Sequence, residues 1–166
     1  GDLQQQTLEQ TLGTMLSAWR ATQVRFPAPA ERQSIQLAHQ GVVLEDWIDQ
    51  LWQSADPADA TQPQAWLSLE PGKLLKNSKK PLARPDKLLT PWIRSLAVSA
   101  SGCRAQGVVV GRDGVLEISP MAQDEAITTL QMLLDVWQQG MNHPLPLPPK
   151  TALAWLANPD KPATLT

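Results

Sequence analysis

Asp113 and Glu117, in the stretch GRDGVLEIS, are the acids best spaced for metal chemistry in this sequence. In a metal-dependent nuclease, carboxylates from neighbouring strands hold a divalent cation. A lysine two residues past the second acid assists the attacking water or the leaving charge. Here that position is Ser119, and Asp113 falls in a turn. The pair Glu45 and Asp46 is followed by Trp47 and Ile48, again without a lysine. These carboxylates read as turn and solvent-face groups, so the residues point to no catalytic and no metal site.

The two histidines, His39 and His143, stand far apart, with no neighbouring pattern of a triad or a metal site. No glycine pattern suited to a phosphate cradle is present, and GRDG reads as a turn. Cys103 is the single cysteine, which excludes an internal disulfide framework and a cysteine-based zinc site and suits a reducing cytosol.

The basic residues carry a stronger signal. The net charge of the chain is -2, so it is no nucleic-acid magnet as a whole. Between Lys73 and Arg104, however, eight cations face one acid, Asp86, a local balance of +7 against -9 elsewhere. Lys73, Lys76, Lys79, Lys80, Arg84 and Lys87 precede an amphipathic stretch, where lysines can contact phosphates without reading sequence. The other reading is a solvated loop that keeps the surface soluble. Trp92 shares a face with Leu88, Ile93 and Leu96 and belongs to the core rather than to a base-stacking platform.

The elements that must position these groups are readable in part. Leu8, Leu12, Met15, Leu16 and Trp19 predict an amphipathic helix over 3–20, ended by FPAPAE. Ile35 and Leu37 alternate with polar residues and predict a strand, and HQG predicts a turn. The next stretch is ambiguous: Leu44, Trp47, Ile48, Leu51 and Trp52 have helical spacing, whereas Val42 and Val43 favour a strand. QAWLSLEP reads as a short strand. Thr90-Pro91 predicts a helix start, with Gly102 as its stop. AQGVVVGRDGVLEIS is the clearest hairpin, with Gly114 able to take a positive φ. Ser119-Pro120 repeats the cap-plus-proline start of a helix buried through Ile127, Leu130, Leu133, Leu134 and Trp137 and ended by Gly140. PLPLPPK reads as a rigid spacer rather than a polyproline ligand, and TALAWLA as a short apolar helix.

The 166 residues suffice for one domain with its own core. The expected divisions are an N-terminal helix and proline-rich connector (1–30), strands (31–70), a basic connector (71–90) and a helix, hairpin, helix, proline run and helix (91–157). Fifteen prolines imply short elements, and seven Trp beside one Phe and no Tyr mark several apolar anchor points, each with an indole N–H to satisfy. No apolar run approaches membrane-spanning length and no signal peptide is visible. The start at Gly1 and the end at NPDKPATLT lead us to expect a piece of a longer chain.

The succession LEDWIDQLW, WLSLEPGKLL, RPDKLLTPWIRSLAVSASG, GVVVGRDGVLEI and PLPLPPKTALAWL resembles the C-terminal part of the RecC family, the gamma chain of the exodeoxyribonuclease V helicase–nuclease of bacteria. The resemblance covers most of the chain after about residue 30. It implies an α+β fold, a mostly antiparallel sheet with packed helices, of the inactivated restriction-endonuclease-like (RecB-type nuclease) kind. It implies that 42–53 is strand, paired with 64–70 as a hairpin. It implies a cytoplasmic, non-catalytic, DNA-guiding and subunit-docking part of a complex that processes double-strand breaks for recombinational repair. The expected partners are RecB-like and RecD-like subunits and DNA. ATP and Mg2+ would serve the complex, with no cofactor in this region. The family's recognition of Chi has no matching motif here. Two other readings stay open: an active metal-dependent nuclease of the same fold, and a protein-docking module without DNA contact, which an exposed cluster of Trp side chains would favour.

Overall fold

A computed structural model describes residues 2–55, 65–76 and 82–143, with side chains from residue 9 onward. Among the described residues, three helices, α1 (Asp2–Arg25), α2 (Pro85–Ala100) and α3 (Gln123–Asn142), accompany nine short strands. The strands are β1 (Ala28–Pro29), β2 (Gln33–His39), β3 (Val42–Ile48), β4 (Leu51–Gln53), β5 (Ala65–Glu70), β6 (Leu75–Lys76), β7 (Leu82–Ala83), β8 (Gln106–Gly111) and β9 (Val115–Ile118).

The main sheet has the order β1-β4-β5-β8-β9. Its pairings are antiparallel except β5–β8, which is parallel and joined through α2. The fold is therefore α+β with a mostly antiparallel sheet, as expected. β8, GVVVG, is a continuous apolar run because both of its faces are covered. Val109 and Trp66 face α2 and α3, while Val108, Val110, Ala65 and Leu67 face Ala18, Trp19 and Phe26 at the end of α1.

The helical spacing of 44–53 misleads. The chain forms β3, paired in register with β2 from His39↔Val42 to Gln33↔Ile48. A two-residue turn dictates this: Gln40 and Gly41 both have positive φ, 46° and 81°, the conformation that matches strand twist in a tight hairpin. Leu44 and Ile48, four apart, share a face in a strand as well as in a helix, whereas Trp47 points outward, 52% exposed. The hairpin of 42–53 with 64–70 is only partly formed. Leu51 and Trp52 pair with Trp66 and Ala65, but 42–48 belong to a separate two-stranded sheet.

Helix boundaries also differ from expectation. α2 starts at Pro85, with Arg84 at its cap, so Pro91 lies inside it. A proline nearly two turns in from the start removes one helical donor, and packing of Leu96, Val98 and Ala100 outweighs that loss. The stop at Gly102 is as expected. Its φ is +85°, its N–H donates to the Ser99 carbonyl, and the Cys103 N–H donates to Val98, which is the Schellman arrangement. Burial pushes the Cys103 thiol pKa up. α3 begins at Gln123 rather than at Ser119-Pro120, because Ser99 Oγ accepts from the Met121 N–H and holds that stretch outside the helix. α3 also runs through Gly140 to Asn142. Trp137 is not buried in its stripe but 54% exposed. Gly114 does not use a positive φ. A Cβ there would lie 2.8 Å from Leu75 Cδ1, so the end of that side chain would have to shift.

Near its C-terminal end α1 packs on the sheet through Ala18 and Trp19, and Arg25 at that end pairs with Glu117 on β9. Arg25 and Gln106 hold the Glu117 carboxyl below its ordinary value. A carboxylate depressed on folding contributes stability above its unfolded value, about 4.3, and loses it as pH falls through the folded value. The pair is half exposed, so the effect is small, roughly 0.2–1 kcal/mol. Melting followed from pH 6 to pH 3 is expected to show wild type losing its margin over Glu117→Gln across that window.

Candidate nucleic-acid interface

The basic connector is organised by an acid. β5 ends at Glu70, whose Oε1 accepts from the Gly72 N–H at 3.0 Å and from Lys87 Nζ at 3.2 Å. The Gly72 amide and then Lys87 hold this carboxyl below the ordinary range. The chain then turns into β6, which pairs with β7 as a ribbon of two residues on each side. So short a ribbon cannot stand alone. Asp113, in the β8–β9 turn, fastens it: Oδ1 accepts from the Leu74 N–H at 2.8 Å and Oδ2 from the Leu75 N–H at 3.2 Å. Leu74 is fully buried beneath, and the Arg84 N–H donates to its carbonyl.

Lys73, Lys76 and Arg84 converge on one shallow pocket, with Leu75 and Asp86 completing its lining. Arg84 donates to both Asp86 oxygens, at 3.3 and 3.0 Å, and this contact raises its pKa and lowers that of Asp86. Asp86 also suits the first turn of α2, where the helix dipole favours an acid. Lys87 is engaged by Glu70. Lys73 and Lys76 make no ion pair with a described residue. Arg94, half-buried, is spent within the protein. It donates to the Asp49 carbonyl at 2.6 Å and lies 5.1 Å from the Trp66 ring centroid, and burial lowers its pKa. Trp92 is partly buried against the core, as its face suggested.

Of the six candidate contacts, the structure thus brings Lys73, Lys76 and Arg84 together and sets Lys87 against Glu70, while Lys79 and Lys80 lie outside the described residues. The dense charge of the sequence is thinner in space, because Asp86 and Glu70 engage two of the cations.

Three of the four acids weighed for metal chemistry hold other partners: Asp113 the two amides of the ribbon, Glu117 Arg25 and Gln106, and Asp46 the Trp47 N–H. Among the described residues no three His, Cys, Asp or Glu side chains are grouped to hold a metal. His39 Nε2 meets Asp135 Oδ1 at 2.8 Å, tying β2 to α3. No local pattern announces that contact, since 96 residues separate the pair.

Among the described residues, two Trp side chains are more than half exposed. Trp47 stacks with Arg32, whose Cζ is 4.4 Å from the ring centroid, and Trp137 flanks an apolar groove along α3. No helix of the described residues is long and apolar enough to cross a membrane.

A family model described as the RecC C-terminal domain matches residues 1–159, including the first 30 residues, whose sequence carries little of the resemblance. The RecBCD enzyme subunit RecC of Escherichia coli (strain K12) is 27% identical over 129 residues, a stretch amounting to 77% of this chain and 10% of that protein.

Proposed function

Because this chain belongs to the RecC C-terminal domain family, we propose that it is a non-catalytic scaffold of a cytoplasmic helicase–nuclease complex, guiding DNA and docking partner subunits during double-strand break repair. The chain spans about one tenth of its curated relative, so the reading concerns this region's share of a larger task. One observation carries it: Asp113, the acid nearest to a nuclease ligand, spends both oxygens on the backbone that bears Lys73 and Lys76. On this reading the fold is a nuclease-like one whose acid has become a fastener for a basic ribbon. DNA passes along that ribbon through phosphate contacts from Lys73, Lys76 and Arg84, joined by Lys79, Lys80 and Lys87. The partners are RecB-like and RecD-like subunits, which use ATP and Mg2+, while this region requires neither.

Docking without DNA contact is the second reading, and α1 favours it. Leu12 and Leu16 are half exposed on the part of the helix that precedes its sheet contacts at Ala18, Trp19 and Phe26. Duplex binding over a salt series separates the two. Six phosphate contacts predict a log–log slope of about -5.4, and Lys73→Ala with Lys76→Ala is expected to flatten it by about 1.8. An unchanged slope in the variant, or no binding by wild type at low salt, would remove the ribbon from the DNA path and leave docking.

A further inference from the structure

The apolar stripe of α3 is covered at its start and open toward its end. Leu130 is buried, while Trp137 and Met141 are 54% and 69% exposed, a wall that is costly to leave in water. With Leu44 of β3 and Ile93 of α2, these residues line an open groove of about 490 Å3. Past Leu44, Ile93 and Leu130 the groove continues into a second depression of about 420 Å3, whose rim carries Asp46 and Asp49. From Leu130 to Met141 the wall is about 16 Å long, three turns of a helix laid against it.

The elements that wall the groove are acidic. The hairpin segment 33–50 holds Glu45, Asp46 and Asp49, and α3 holds Asp124, Glu125 and Asp135, while neither contains a lysine or an arginine. Asp135 is taken by His39, whereas Asp46 and Asp49 make no ion pair with a described residue. Arg94 of α2 also lines the second depression, but its guanidinium donates to the Asp49 carbonyl and lies over the Trp66 ring. A polyanion is repelled from such a face, so it offers DNA no second path. Apolar side chains with cations beside them suit it in both shape and charge. The chain's own helices α1 and α2 do not supply that pattern: α1 carries two acids and two arginines, and α2 one acid and two cations. We propose that this groove docks a basic amphipathic helix of another protein chain. The apolar stripe of that helix lies on Leu134, Trp137 and Met141, and a lysine or arginine near one end reaches Asp46 and Asp49. This rests on the docking half of the scaffold reading and is independent of the DNA half.

Fluorescence anisotropy with the 166-residue chain tests it. The probes are two labelled helical peptides of about 18 residues with one leucine stripe, one bearing lysines and the other glutamates on the polar face. The lysine peptide is expected to bind at least tenfold more tightly than the glutamate peptide. Trp137→Ser with Met141→Ser should weaken its binding about tenfold. Asp46→Asn with Asp49→Asn should weaken it about fivefold and reduce its salt dependence. Leu12→Ser with Leu16→Ser, on the exposed part of α1, should leave it unchanged, as should Lys73→Ala with Lys76→Ala, so failure of this docking site and failure of the ribbon are read separately. Equal binding of the two peptides, or equal losses from the α1 and α3 variants, would overturn the proposal. A wild type that self-associates in sedimentation and becomes monomeric with Trp137→Ser and Met141→Ser would assign the groove to a second copy and overturn it as well. If the α3 variant loses its circular dichroism spectrum, the exposed aspartates decide, and unchanged binding by Asp46→Asn with Asp49→Asn would overturn the proposal.

Discussion

Trp66→Ala is expected to cost about 3–5 kcal/mol of stability, read as a lowered urea midpoint by circular dichroism. Trp66 is completely buried on β5 and joins the sheet to α2, where Arg94 lies over its ring. Its fit is set by a glycine on the neighbouring strand: a Cβ on Gly107 would stand 2.3 Å from Trp66 Cζ2. Gly107→Ala is therefore expected to destabilise through overpacking, by about 1–3 kcal/mol. In a chain that already carries Trp66→Ala the same change should cost far less, because the cavity accepts the methyl, and a double-mutant cycle measures that coupling. Trp66→Phe should recover most of the loss. The indole nitrogens of Trp66 and Trp52 have no hydrogen-bond partner among the described residues, so removing the first sacrifices packing and no bond. Additive costs for Gly107→Ala and Trp66→Ala would show that the two side chains do not share space.

Asp113→Ala is expected to cost about 1–3 kcal/mol and to weaken duplex binding at the same time. It removes the acceptor of two amides, Leu74 and Leu75, in a strand too short to hold its place otherwise. Asp113→Asn keeps one acceptor oxygen and should fall between alanine and wild type in both readouts. A metal ligand behaves differently on replacement. Cleavage is lost, while DNA affinity is held or improved as negative charge leaves the site. Coupled loss of stability and affinity therefore separates a fastener from a ligand.

What could be read from sequence followed from short-range chemistry. The hairpin of β8 and β9 stood out because apolar runs flank a tight turn, and the stop of α2 stood out because Gly102 supplies the left-handed residue. Spacing alone leaves 44–53 open between helix and strand because positions four apart share a face in either structure, and the strand that the structure shows over 42–48 followed from the family resemblance. The deciding information lay in Gln40 and Gly41, a turn that the glycine hinted at and the glutamine disguised. The start of α2 was placed late because Thr90-Pro91 has the chemistry of a cap, yet Arg84 and Pro85 open the helix without a side-chain cap. The basic connector is legible in sequence, but neither its β6–β7 pairing nor the engagement of two of its cations by acids is. Glu70 lies 17 residues from Lys87, and no local rule pairs them. The role of Asp113 was least accessible, since it rests on backbone amides 38 and 39 residues away. Its place in a turn argued only against a strand-borne ligand.

The central claim is that Asp113 fastens a basic ribbon and holds no catalytic metal. Plasmid integrity tests it most directly: supercoiled DNA incubated with the 166-residue chain in Mg2+, beside Asp113→Asn. The account predicts intact plasmid with both proteins and weaker retention of DNA by the variant. Mg2+-dependent nicking by wild type that disappears in Asp113→Asn would contradict it and return this acid to the role of metal ligand.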